Sequence, residues 1–472
     1  MRKSLFTAFG AILLALAGTP VASAAETTST PYIPPAGLTA TDLTFRNGGT
    51  ELHGSVVRRA DLDPAVRHPA IVLVHGSGAG PREELGQEAE VFARAGLVTL
   101  IYDKRADYTK THRDYSALAD DAVAGVRAVA ALPDVDPART GLWGLSEGGW
   151  IAPLAASRSA EAKFLVTIGA PGLAPARTQA WNLINRITRA GVTPSTVDAI
   201  VGTGMGLAVA TDGFPQAAYD PVPALRAIRQ PVLALWGELD TQVPPRESAE
   251  VFRRELTASP SVTIRILPHG AHAGRVTTDG YDRVGGPTIN GFDMGELLPG
   301  YGTLMTDWIA QVTGGRLPAS AADALPVQGS DSIPVSGVGP LWWAAFAAIA
   351  LALLSWPVGA LVRRLRGGRG RPAGARPARL LVLTGLIALV GGVAYPIVTV
   401  ATSGKQTEAF LFGQPLTWLV LRAATVLALL CTAWAVVALR STQGRDRVRL
   451  AVTAVGGLLL VPFALSLGLL LP

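Results

Sequence analysis

Two kinds of apolar pattern divide this chain near residue 340. Upstream, short apolar runs alternate with segments of helical spacing. Downstream come four apolar stretches, near 341–362, 380–402, 416–439 and 450–471, each about the twenty residues that a helix needs to cross a bilayer. In the upstream part, 43–59 reads as a hairpin turning at Asn47-Gly48-Gly49. Runs at 70–75, 97–102, 142–145, 164–168, 232–236 and 262–267 read as strands. Leu118, Ala122, Val126 and Val129 have helical spacing, and further helices are expected around 147–158, 245–256 and 302–312. Such alternation predicts an α/β fold, a mostly parallel sheet with helices on both faces. Residues 173–230 break the alternation with a mixed helical pattern and are expected to form a cap insertion. Residues 26–40 and 315–340, rich in small and polar residues and proline, read as linkers.

The first residues add a direction to this plan. Arg2 and Lys3 precede an apolar run at 5–17 and then Ala22-Ser23-Ala24. That is the pattern of a secretory signal peptide over 1–25, cut after Ala24 or Ala25, with an uncleaved anchor as the alternative. Residues 26–314 would then be exported. Loop charge points the same way. The loop after the first apolar stretch holds Arg363, Arg364, Arg366, Arg369, Arg371, Arg376 and Arg379, and that after the third holds Arg440, Arg445, Arg447 and Arg449. The loop 403–415 between them has only Lys405 and Glu408. Arginine-rich loops stay in the cytoplasm, which returns the upstream domain to the outside.

These arginines also account for the net charge of +6, so a nucleic-acid partner is not expected; membrane lipids are. Arg422, inside the third stretch, is expected to reach the outer interface or face the bundle. The spans carry almost no other charge, which argues for an anchor over a transport path. Their paired glycines, Gly391-Gly392 and Gly456-Gly457, offer a dimerisation surface; the oligomeric state is otherwise open. The lone Cys431 provides neither a disulfide nor a thiol–metal cluster, and the histidines lack zinc spacing, so no metal or cofactor is expected.

The chemistry sits at Gly144-Leu145-Ser146-Glu147-Gly148, between a predicted strand and a predicted helix. A serine in that turn needs small neighbours, and the turn presents its hydroxyl above the sheet edge. The hydroxyl is a weak nucleophile without a histidine to take its proton and a carboxylate to orient that histidine. Both follow in order. Asp240 lies in the loop after 232–236, with Glu238 as the alternative acid; His272 lies in the loop after 262–267, with His269 as the alternative base. Two backbone donors must face the developing oxyanion: Glu147 N–H and, from the loop His75-Gly76-Ser77-Gly78, Ser77 N–H. His75 is expected to order that loop. The loop lacks the Gly-Lys-Ser/Thr ending of a phosphate-binding P-loop.

With these residues in place, the domain resembles an α/β-hydrolase of the dienelactone-hydrolase-like and prolyl-oligopeptidase-like serine esterase branch. The matching stretches are 74–78, Tyr102-Asp103-Lys104-Arg105, Asp136-Pro137, 144–150, 236–240 and 270–272. Where relatives continue Tyr-Asp-Lys-Arg with glycine, this chain has Ala106-Asp107-Tyr108, so the adjacent pocket wall is expected to differ. The resemblance implies a serine hydrolase acting on carboxylic esters. The signal-peptide pattern and the four apolar stretches make the expected enzyme membrane-tethered and extracytoplasmic, a location that suits small-molecule or lipid-like acyl esters, and the high Ala, Arg, Gly and Pro content points to a bacterium. Peptide or amide cleavage and acyl transfer use the same triad and remain alternatives. A catalytically silent domain that senses or assembles is the non-enzymatic one.

Overall fold

The computed structural model describes residues 31–471 except 110, 369–372 and 406–409. The expected signal peptide lies outside the described residues. Strands β1 (Leu38–Asn47) and β2 (Thr50–Arg59) form the hairpin, in register from Leu38 with Arg59 to Asn47 with Thr50. Then β3 (His68–Val74), α1 (Gly86–Arg94), β4 (Val98–Tyr102), α2 (Tyr115–Ala130), β5 (Val135–Leu145), α3 (Gly148–Arg158) and β6 (Leu165–Ile168) alternate. Three helices follow, α4 (Pro175–Arg189), α5 (Pro194–Ala210) and α6 (Val222–Ala227). The alternation resumes with β7 (Val232–Gly237), α7 (Pro245–Glu255) and β8 (Val262–Leu267). A small hairpin, β9 (Thr288–Ile289) and β10 (Phe292–Asp293), precedes α8 (Tyr301–Thr313) and β11 (Ala321–Ala322). The long helices are α9 (Pro340–Leu365), α10 (Ala375–Ala401), α11 (Leu416–Ala438) and α12 (Gly444–Ser466).

Two compact units result. The first holds the described residues up to Asn182 and Phe214–Ile333. Its nine-stranded sheet has the order β1-β2-β4-β3-β5-β6-β7-β8-β11. The pairs β1–β2 and β2–β4 are antiparallel and the rest parallel. The central strands are continuous apolar runs because both faces are covered. Alternate residues go to opposite cores, as the strand period of two requires. Val72 and Val74 pack towards α2 and α3, with Leu118, Val126 and Ile151. Ile71 and Leu73 pack towards α1 and α8, with Phe92, Met305 and Ile309. Asp114 starts α2 by accepting from the backbone N–H of Ser116 and Ala117.

The segment 315–333, read from composition as a tether, is bound to this unit. Its β11 extends the sheet beside β8. Further on, Ser332 Oγ donates to Glu247 at 2.8 Å and Trp181 Nε1 donates to Ser330 O at 3.0 Å. Polar composition lowers hydrophobic drive, but side-chain hydrogen bonds suffice to dock such a segment.

The second unit holds Leu183–Gly213 with the described residues from Pro334 onward. The middle of the expected cap therefore clusters with the long helices. A Cβ on Gly204 of α5 would lie 2.5 Å from Pro396 O of α10, so only glycine permits this approach, and Ile200 joins the bundle's core. The glycine pairs face neighbours in the same chain: Gly391 meets Leu421, Gly392 meets Leu467 and Leu469, Gly456 meets Ala352 and Gly457 meets Thr432. Small residues let apolar helices approach closely, and here the partner is internal. Arg422 Nη1 donates to Gln414 at the start of α11. All four long helices are long and apolar enough to cross a membrane, with mean hydropathies of 2.0 to 2.2. Their outward residues are apolar too, Leu351 being 70% and Leu430 62% exposed, a surface suited to lipid.

In the first unit, one buried ion pair ties α1 to the loop after β8: Arg275 Nη2 donates to Glu88 Oε1 at 2.5 Å, both side chains inaccessible to solvent. Removing one partner of such a pair strands the other charge. Arg275→Met is expected to lower stability by about 3–5 kcal/mol, and Glu88→Leu added to it to restore most of the loss. Urea titration of the full chain in detergent, followed by tryptophan fluorescence, measures both.

Candidate active site

Only two residues separate the end of β5 at Leu145 from the start of α3 at Gly148. The chain reverses there by placing Ser146 at φ 54°, a left-handed conformation that costs a non-glycine residue about 1–2 kcal/mol. Two hydrogen bonds hold it: Ser146 N–H donates to Ile168 O at 3.1 Å, and Gly149 N–H donates to Ser146 O at 2.7 Å. The flanking glycines are required by contact. A Cβ on Gly144 would sit 2.3 Å from Gly148 O, and one on Gly148 would sit 2.4 Å from Val74 O.

The structure brings Asp240 and His272 together. His272 Nδ1 lies 2.8 Å from Asp240 Oδ2, and both side chains are buried. Asp240 Oδ1 accepts from the backbone N–H of Gln242 at 2.8 Å and Val243 at 2.9 Å, which fixes the carboxylate. A carboxylate only accepts, so Nδ1 carries the hydrogen, and in the neutral imidazole Nε2 is the acceptor. The end of β6 links this pair to the serine. Ile168 binds Ser146 N–H, and Gly169 follows with its Cα so close to the imidazole that a Cβ would lie 2.8 Å from His272 Cε1. The alternative acid and base lie elsewhere. Glu238 and His269 are exposed, and Glu238 Oε2 accepts from His269 N–H at 2.9 Å. They brace the surface turn after β8.

The two expected oxyanion donors lie beside the serine. Neither Ser77 N–H nor Glu147 N–H has a hydrogen-bond acceptor among the described residues. Gly76 abuts Ser146, its missing Cβ being 3.4 Å from Ser146 Cβ. His75 is buried and its Nε2 donates to Tyr102 O at 2.9 Å. Burial, reinforced by the nearby Lys104 charge, pushes its pKa down to about 3, so it stays neutral and orders the loop.

The sequence pattern did not anticipate the cluster around Glu147. Its buried carboxylate accepts from Lys104 Nζ at 2.9 Å, Tyr108 OH at 2.8 Å and Arg113 Nη1 at 2.8 Å. Tyr108 comes from the stretch where this chain departs from the relatives' glycine. The available signal was a charged residue at the tightest point of the turn: a carboxylate there is buried by geometry and demands cations from the neighbouring strand ends.

Comparison with known proteins places these features. Residues 86–284 match the model of the prolyl oligopeptidase family. Esterase EstD of Thermotoga maritima is 25% identical over 228 residues, 42% of this chain and 53% of that protein. Polyketide transferase claH of Penicillium crustosum is 30% identical over 86 residues, 17% of this chain and 28% of that protein. The chain thus spans about half, or less, of the length of these curated relatives. Among solved structures, Pyrococcus horikoshii acylaminoacyl peptidase aligns at 18% identity and a TM-score of 0.35, over 49% of this chain and 38% of that one. The matched family segment, the sheet order and the strand–turn–helix at Ser146 together give this chain an α/β-hydrolase fold, similar over residues 86–284 to the prolyl oligopeptidase family and continued by four long apolar helices.

Proposed function

We propose that this protein is a membrane-anchored serine hydrolase that cleaves carboxylic esters outside the cytoplasm. The observation that carries the reading is the buried Asp240–His272 pair at the strand end that also holds the strained Ser146. His272 Nε2 takes the Ser146 proton as Oγ attacks the ester carbonyl. The carbonyl oxygen becomes an oxyanion facing Ser77 N–H and Glu147 N–H. Collapse expels the alcohol, which receives the proton from His272. Water, activated by the same imidazole, then hydrolyses the acyl-enzyme. Asp240 stabilises the imidazolium in both halves.

The esterase relative supports ester cleavage. The family match supports a second reading, cleavage of a peptide or amide by the same triad. The four apolar helices and the arginine-rich loops support a multi-pass anchor with the hydrolase domain on the extracytoplasmic side, facing small-molecule or lipid-like acyl esters.

In the full chain in detergent, a fluorophosphonate probe is expected to label the wild type and not Ser146→Ala. Asp240→Asn should retain labelling at a strongly reduced rate, with kcat down about 10³–10⁴-fold. Nitrophenyl esters from acetate to long chains, run beside aminoacyl-nitroanilides, decide between ester and amide. An unlabelled, folded wild type would sink the hydrolase reading. The orientation has its own test. In a Cys431→Ser background, Phe412→Cys is expected to react with a membrane-impermeant maleimide on intact cells, and Arg366→Cys only after lysis.

A further inference from the structure

Triad chemistry has no step for the side chain of Glu147 or for the lysine bound to it, yet both are buried beside the nucleophile. Lys104 lies two residues past β4 and turns its ammonium group into the loop that follows β3. An ammonium group has three N–H donors, and here there are three acceptors: Gly76 O, Gly78 O at 3.2 Å and Glu147 Oε1 at 2.9 Å. Two of these acceptors belong to the loop that carries Ser77. The third belongs to the residue whose own N–H is the other oxyanion donor. One side chain therefore ties together both halves of the oxyanion hole.

The peptide plane gives the tie a direction. In a trans peptide the C=O of one residue and the N–H of the next point opposite ways. Drawing the Gly76 carbonyl towards Lys104 turns the Ser77 N–H away from it, and that N–H has no acceptor among the described residues. Gly76 itself lies against Ser146 Cβ. Tyr108 reinforces the arrangement, its ring 4.0 Å below Lys104 Nζ and its hydroxyl on Glu147. We infer that Lys104 is a positioning residue for the oxyanion hole: it aims the Ser77 N–H by holding the Gly76 and Gly78 carbonyls, with the Glu147 carboxylate as its third acceptor and counter-charge. This rests on the serine hydrolase reading above.

The tie needs the ammonium form, because a neutral amine has one donor fewer. The groups that face Lys104 are Glu147, Arg113 and Tyr108 around the elbow, Glu84 from the turn before α1, and His75 in its own loop. Burial lowers the lysine's pKa, Arg113 lowers it further, and Glu147 and Glu84 oppose them. Without the Glu147 charge the proton is lost at lower pH. Activity that requires it then fails as pH rises through the lowered value, while the acid side keeps its shape.

The test compares wild type, Lys104→Met and Glu147→Gln as full chains in detergent. Lys104→Met is expected to lower kcat about 30–300-fold, part or all of the loss seen when one oxyanion donor is removed, with KM within threefold. A trifluoromethyl ketone should bind it more weakly by the factor lost in kcat/KM. Glu147→Gln should show an alkaline limb in kcat/KM at least one pH unit below that of the wild type. If Lys104→Met merely melts earlier and keeps kcat within threefold, the residue is structural and the inference is overturned. Should that variant fail to fold, the Glu147→Gln profile decides: a limb superimposed on the wild type's overturns it. A wild type inert to the fluorophosphonate overturns the hydrolase reading, and this inference with it.

Discussion

Everything at the site depends on one backbone angle. A serine at φ 54° between β5 and α3 reverses the chain within two residues. No side chain can replace the hydrogen atoms of Gly144 and Gly148, because backbone carbonyls already fill the space. The strain of about 1–2 kcal/mol is held by hydrogen bonds from the neighbouring strand and from the first turn of α3. Three consequences follow. The hydroxyl stands clear of the sheet, the Glu147 N–H is left without an acceptor among the described residues, and the Glu147 side chain is driven inside.

That last consequence decides how the surrounding loops are arranged. A buried carboxylate costs several kcal/mol unless cations and hydrogen-bond donors meet it. Here three residues supply them: Lys104, two residues past β4, and Tyr108 and Arg113 from the stretch before α2. Asp240 solves the same problem differently, with two backbone donors and one imidazole. The first solution brings net positive side chains behind the proposed oxyanion position. The second leaves the carboxylate able to favour an imidazolium. Both burials therefore place charge where the proposed reaction develops its opposite.

Much of this was legible from residues alone, for identifiable reasons. The central strands are apolar on both faces, so their runs stand out, and the hairpin turn is marked by Asn47-Gly48. Ser146, Asp240 and His272 each follow a strand, and a parallel sheet delivers successive strand ends to one edge; chain order was enough to nominate them. Choosing Asp240 over Glu238 and His272 over His269 drew on loop length, and the structure buries the first pair together and exposes the second. What stayed hidden was partnership. Lys104 was visible as part of Tyr-Asp-Lys-Arg, but nothing local says that its ammonium group meets Glu147, forty-three residues on.

The insertion shows the same limit on a larger scale. Helical spacing in 173–230 identifies apolar faces without saying what covers them. Proximity in sequence to the sheet favours a cap, yet Leu183–Gly213 shares its compact unit with helices that begin more than a hundred residues later. The deciding residues are small ones: Gly204 against the Pro396 carbonyl, and Ala199 against Gly468. Close approach of this kind is strongly favoured between apolar helices, where packing replaces the hydrophobic drive that water supplies. An inserted helix and long apolar helices that share a core cannot change independently. A larger residue at 204 would push on α10, and a shift of α10 at Pro396 or Val400 would push back on α5. The long apolar helices are thereby coupled, through packing alone, to a segment that lies in the sequence between β6 and β7.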